Sequence, residues 1–186
     1  MAVPSKYMQS VIDASKGRPK STAWFRDKIA EFGTPKAMQL IRDGKQSSSP
    51  FFGNLNMFFY DPKLKKKLPY YDRFPLVLPL EKYNDGFLGI NLHYLPIPLR
   101  IKLLDRLVDF SNNTKFDEST KLNVGYQNLK RVRLIKPTIK RYLAGKVKSR
   151  FRRVDADEFT VATLLPVQRF SKASASEVWK DSRKMI

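Results

Sequence analysis

The sequence predicts an α+β fold: a small bent antiparallel sheet or partial barrel, with short flanking helices and an extended N-terminal arm. Three observations carry this. Aromatic and aliphatic runs separated by turn residues crowd residues 54–95. Well-punctuated helical stretches lie on both sides of them. Asn84-Asp85-Gly86 sits between two apolar runs, a strong hairpin signal. With 186 residues, 42% of them hydrophobic, the chain is long enough to bury a core. The expected division is an arm over 1–20, a helical segment and linker over 21–50, and a mixed α+β domain over 51–186.

The first twenty residues mix small, polar and basic types and read as an arm with a helical piece at 7–14. Ser21 or Thr22 caps the next helix, whose apolar stripe is Trp24, Phe25, Ile29 and Phe32, and Gly33 stops it. Thr34 and Pro35 open a third helix that ends at Gly44. Residues 46–50 read as a linker. Strands are expected at 54–60, 76–80 and 87–94. Pro75 and Pro79 imply an edge or a bulge, because proline cannot donate to the ladder. Residues 96–98 open a helix with Leu99, Leu103, Leu104, Leu107 and Val108 on one face, closed at Asn112-Asn113. Residues 114–128 read as a loop, 130–135 as a strand, and Pro137 as the start of a helix carrying Ile139, Tyr142 and Leu143. Residues 158–167 read as a further strand. Ser174-Ala175-Ser176-Glu177 is a capping box for a last helix through Trp179.

The charge is lopsided. Lys plus Arg number 36 against 17 Asp plus Glu, a formal +19. Such a field attracts a polyanion or an acidic protein surface. Residues 126–154 hold eleven cations and no carboxylate, leaving +8 on the rest of the chain. Within this stretch Lys140, Arg141, Lys148, Arg150, Arg152 and Arg153 are the candidate phosphate-binding residues, and Tyr142 and Phe151 are interleaved as stacking or supporting rings. A solvated basic face, or a face for an acidic protein, is the competing reading, since no recognised nucleic-acid motif accompanies the charge. The smaller run at 63–67 reads as a hairpin tip whose lysines block strand pairing.

The catalytic classes are thinly supported. There is no cysteine, which excludes disulfides and thiolate metal sites. His93 is the only histidine, and one histidine in an apolar strand reads as structural. Neither a Walker phosphate loop nor a Gly-x-Ser-x-Gly turn occurs. Asp43-Gly44-Lys45 and Asp61-Pro62-Lys63 have the Asp-x-Lys spacing used by metal-dependent nucleases, but a helix stop and a turn account for both. Asp155, Asp157 and Glu158 cluster beside the basic stretch. The expectation is a non-enzyme with no cofactor and no metal. No apolar run approaches the roughly 18 residues of a membrane span, and the N-terminus has no signal-like stretch, so no membrane partner is expected.

Pro69-Tyr70-Tyr71-Asp72-Arg73-Phe74-Pro75 is the most unusual block. Tyrosines beside prolines make rigid amphipathic contact surface at little entropic cost, or else a core corner. Tyr70, Tyr71, Arg73 and Phe74 are the candidate protein-interface residues, with Trp24 and Trp179 as secondary anchors.

Residues 68–76, 86–96, 139–143, 165–170 and 178–184 together resemble a family of small virion structural proteins of large contractile-tailed bacteriophages. The resemblance spans about residues 51–186. It implies a virion component made in the host cytoplasm, present in multiple copies in a symmetric assembly with other virion proteins, and it carries no catalytic residues to transfer. Two functions follow as expectations: an adaptor in the tail or baseplate acting through protein–protein contact, or a DNA-contacting protein of the neck or head that binds phosphates through 130–153.

Overall fold

The computed structural model describes residues 7–16, 18, 20–111 and 121–186. The expected stop at Asn112-Asn113, residues 114–120 of the expected loop and the first six residues of the arm lie outside the described residues. Seven α-helices are present among those described: α1 (Tyr7–Asp13), α2 (Thr22–Phe32), α3 (Ala37–Arg42), α4 (Ile97–Phe110), α5 (Tyr126–Leu129), α6 (Phe159–Leu164) and α7 (Ala175–Met185). The strands are β1 (Gln46–Ser47), β2 (Leu55–Met57), β3 (Tyr71–Asp72), β4 (Leu76–Tyr83), β5 (Gly86–Asn91), β6 (Ile139–Leu143), β7 (Phe151–Val154) and β8 (Phe170–Ser171). Six of them form one open antiparallel sheet in the order β1-β7-β2-β4-β5-β6, and β3 pairs with β8 in a small second sheet. The fold is α+β, as expected, without barrel closure.

The hairpin forms where Asn84-Asp85 turns the chain, with Tyr83 facing Gly86. The register shifts between Pro79 and Glu81, so the proline in this central strand sits at a bulge. Ser21 caps α2 through its side chain, and Ser174 with Glu177 forms the capping box of α7.

Five stretches differ from expectation, each for a packing reason. Residues 139–143 are a strand, not a helix. Thr138 accepts from Asn91 N, and the open edge of β5 then supplies the partner ladder. Gly86 permits that approach: a Cβ there would strike the Tyr142 carbonyl. Residues 158–167 are not a strand. Asp155 and Glu158 make a second capping box, and the chain runs into α6, whose Phe159, Val161, Ala162 and Leu164 are all buried. Residues 130–135 coil through short turns that bury Leu129 and Ile135 and pack Val132 against the core. That spacing of three is the 3₁₀ period. The expected arm is part of the core from Tyr7 on: Met8 and Val11 are buried, the Tyr7 hydroxyl donates to the Gly33 carbonyl (2.6 Å), and the Tyr7 N–H donates to Asp43 Oδ2 (3.2 Å). The expected linker likewise supplies β1, which pairs Gln46 with Arg152.

The sheet divides two cores by strand alternation. Leu76, Leu78, Ile90, Leu55, Met57 and Val154 join the main core, which α1, α4 and α6 fill. Val77, Phe87, Tyr142 and Phe151 point the other way and form a smaller aromatic cluster with Phe58 and Tyr60.

Candidate nucleic-acid interface

The aromatic face is built around Phe58. Its ring meets Phe151 at 4.8 Å, Tyr142 at 5.3 Å, Phe87 at 6.0 Å and Tyr60 at 6.2 Å between centroids, mostly edge to face. The segment after β2 is stitched to the segment before β7. Lys148 N donates to Phe59 O (2.7 Å), Asp61 N donates to Lys146 O (3.0 Å), and Tyr60 bridges to Val147.

This stitching brings together two basic runs some eighty positions apart in the chain. Lys65 Nζ hydrogen-bonds both oxygens of Asp61 at 2.9 Å. That hydrogen bond holds the Asp61 carboxyl below its usual range, and the charges of Lys65, Lys148 and Lys146 add to the effect. Residues 63–67 are not a hairpin tip. They form a helical turn in which Leu68 N donates to Leu64 O (3.0 Å). Among the described residues Lys148 and Arg150 are exposed and have no carboxylate partner.

The other candidate cations divide by neighbourhood. Arg141 pairs with Asp85 and stacks over Tyr83 at 4.2 Å. Arg153 pairs with Asp155 and lies over Phe51 at 5.8 Å. Arg152 does not belong to the surface at all. It is 1% exposed, its two terminal nitrogens donate to Glu158 at 2.9 and 3.0 Å, and its side chain crosses Gly44 where a Cβ would collide with it. The expectation that it meets phosphate is corrected: its charge is already neutralised inside the fold.

The expected protein-interface residues scatter. Phe74 is fully buried with its ring 5.0 Å from Phe59, so it offers no contact surface, and the core-corner reading holds for it. Tyr70 and Tyr71 are half-buried and Arg73 is exposed. Trp24 is half-buried edge-on to Phe25, with Lys20 and Lys28 over its ring at 5.4 and 6.0 Å. Trp179 is used internally. Its Nε1 donates to the His93 carbonyl (2.9 Å), and the guanidinium of the buried Arg100 lies over its ring at 5.5 Å.

Behind the tyrosines lies a buried polar cluster. Asp72 Oδ1 accepts from Phe74 N and Arg169 N, both at 3.0 Å, and Oδ2 lies 2.8 Å from His93 Nδ1. Asn91 Nδ2 donates to Asp72 Oδ2 (3.3 Å) and the Tyr142 hydroxyl (3.1 Å). Burial pushes the His93 imidazole below its ordinary pKa even with Asp72 beside it. Burial alone would raise Asp72, but the neighbouring His93 and the two backbone N–H donors hold the carboxyl low. The pair is therefore a carboxylate accepting from a neutral imidazole, a satisfied arrangement at Nδ1. It cements the β3–β8 sheet to the turn after β5, and both side chains are buried.

In front of this cluster a recess of about 410 Å³ opens between Tyr60, Tyr70, Tyr71, Tyr94 and Tyr142, with Lys140 and Arg141 on its β6 wall. Lys140 Nζ sits 4.0 Å over the Tyr94 ring, and burial pulls its pKa down to about 8. Tyr94 and Tyr60 lay outside the sequence expectations. Their signal was indirect: Tyr60 ends the aromatic run at 54–60 and Tyr94 lies in the aromatic block at 86–96. Among the described residues no three His, Asp or Glu converge to hold a metal ion. Asp43 is engaged by Tyr7 N and Asp61 by Lys65, so neither stands as an open carboxylate.

The fold and this surface define a small basic α+β protein with an aromatic cluster on one face of its sheet and cations beside it. Residues 6–182 match the family described as Phage T4 terminal DNA protecting protein, and the chain belongs to that family. It is thus a bacteriophage protein, consistent with the resemblance in its aromatic blocks. No curated protein and no solved structure matches the chain significantly. No helix among the described residues is long and apolar enough to cross a membrane.

Proposed function

We propose that this protein is a non-enzymatic DNA-binding protein of the virion that covers the end of the packaged duplex. The observation that carries the reading is the meeting of the two basic runs beside the aromatic face. Lys146 and Lys148 lie close enough to Asp61 to act on its carboxyl, which Lys65 already holds, and Arg150 follows two positions on in the same exposed segment. Cations without internal partners are what a polyphosphate backbone requires, because phosphate neutralisation releases counterions and supplies most of the affinity. The family description supports DNA termini as the target, since the T4 protein is named for protecting terminal DNA. This is the second of the two functions expected from the sequence. Nothing observed favours the tail or baseplate adaptor. Binding acts by occupancy: the protein neutralises backbone charge and sits where an exonuclease must engage.

Competition between DNA forms tests this. A labelled linear duplex bound by the protein is challenged with unlabelled linear DNA or with the same sequence as a covalently closed circle. The linear competitor displaces the probe at far lower nucleotide concentration. Equal competition by the circle contradicts end recognition.

A further inference from the structure

The recess at Lys140 has features that general backbone binding does not need. Phosphates along a duplex are met by exposed cations on a convex or grooved surface. Lys140 is instead withdrawn into a concavity walled by tyrosine rings, and among the described residues its ammonium makes no hydrogen bond and no ion pair. Its one evident attraction is the Tyr94 ring face. A cation held this way, without an anion, is costly to keep charged, and its pKa has fallen to about 8 in response. A small anion carried on something flat and aromatic complements both the ammonium and the tyrosine faces of this recess.

We propose that this recess takes the 5′-terminal nucleotide of a DNA strand, with its phosphate monoester on Lys140 and its base against the tyrosine wall. The inference rests on the end-binding reading above and names the feature of the end that is recognised. At about 410 Å³ the recess is within the size range of small-ligand sites. Tyrosine faces stack any base without sequence preference, as a protein that binds ends of any sequence requires. Only a terminal nucleotide can enter at low cost, because an internal one must be unpaired and flipped from the stack. A terminal monoester is also nearly dianionic at neutral pH, a stronger partner for one buried ammonium than an internal diester.

The groups facing Lys140 are Tyr60, Tyr70, Tyr94 and Tyr142, with Tyr71, Arg141 and the buried Asp72. Burial raises the pKa of Tyr60, Tyr70, Tyr94 and Tyr142, so these stay neutral through pH 9. Asp181, which with Lys184 acts on Tyr70 from α7, raises that hydroxyl further. Lys140 is then the group that titrates between pH 7 and 9. The bound monoester favours its protonated form, so binding above pH 8 requires proton uptake.

The test uses full-length protein and duplexes closed by a hairpin at one end, whose free end carries either a 5′-phosphate or a 5′-hydroxyl. A dumbbell closed at both ends is the control. Wild-type protein binds the phosphorylated end about tenfold more tightly at pH 7, the expected loss for one charge-assisted contact. That advantage disappears in Lys140→Gln and shrinks in Tyr70→Ala, a partly exposed position. In the wild type it falls to about twofold between pH 7 and pH 9, as free Lys140 deprotonates. This last arm needs no variant, so misfolding of Lys140→Gln does not blunt the test. If both open ends beat the dumbbell but the 5′-phosphate makes no difference, the recess assignment is overturned and end binding stands. If open ends bind no better than the dumbbell, both fall together.

Discussion

Replacing Lys146, Lys148 and Arg150 together by glutamine tests the proposed DNA surface without touching the core. Lys148 and Arg150 are exposed and Lys146 is half-exposed, and none has a carboxylate partner among the described residues. The links between this segment and residues 58–61 are made by backbone atoms, so they survive the change. Each duplex phosphate neutralised contributes about 0.9 to the slope of log K against log salt, so three lost contacts lower the slope by about 2.7. At about 0.15 M salt the same relation gives about fivefold per contact, or roughly 150-fold in affinity for the triple variant. Surface changes of this kind move stability by no more than about 0.5 kcal/mol each. The assay is fluorescence anisotropy with a short labelled duplex, titrated from about 0.05 to about 0.3 M salt, alongside a thermal melt. A triple variant that keeps the wild-type slope while remaining folded refutes the placement of DNA on this face. Arg152→Gln, in the same basic stretch, is the internal contrast: it lowers the melting temperature and leaves the salt slope of the surviving folded protein unchanged.

Glu158→Gln strands the Arg152 guanidinium as an uncompensated buried charge and destabilises the protein by about 3–5 kcal/mol, read by urea unfolding; a cost below about 1 kcal/mol contradicts the account of this pair. Stability also falls with acid in two stages. The His93 pKa is lowered by folding, so its contribution is complete above 6.5 and is lost as pH drops below that value; Asp72, also lowered, adds a second loss below about 4. In both stages the unfolded chain binds the extra proton, so the slope of stability against pH is positive. His93→Asn is less stable at pH 7 and flattens the upper stage, and an unchanged slope between pH 4.5 and 6.5 argues against a neutral buried imidazole.

The parts of the fold that local chemistry decides were legible. Ser21 and Ser174 cap helices where hydroxyls precede apolar periodicity, and Asn84-Asp85-Gly86 turns the hairpin. Misreadings came where tertiary partners outweigh local preference. Ile139, Tyr142 and Leu143 have helical spacing after a proline, yet the unpaired edge of β5 makes them a strand. Phe159 and Val161 favour strand locally, but Asp155-x-x-Glu158 was a readable capping signal that points to α6. The basic character of the candidate site was plain in the sequence. Its geometry was not, because Tyr70, Tyr94 and Lys140 come from three separated elements and only the β5–β6 ladder and the polar cluster at Asp72 bring them together. Arg152 was misplaced for a similar reason. Its neighbours Phe151 and Val154 hold opposite faces of β7, and alternation sends Arg152 toward Glu158 and the main core.

The most direct measurement is protection of linear duplexes of several lengths against a processive exonuclease, with protein titrated at fixed DNA mass. A cap at the terminus predicts that full-length strands survive once each end is occupied, so the protein needed tracks the number of ends and is independent of length. Protection that scales with length, or digestion at an undiminished rate with every end saturated, contradicts the claim that this protein works by covering DNA termini.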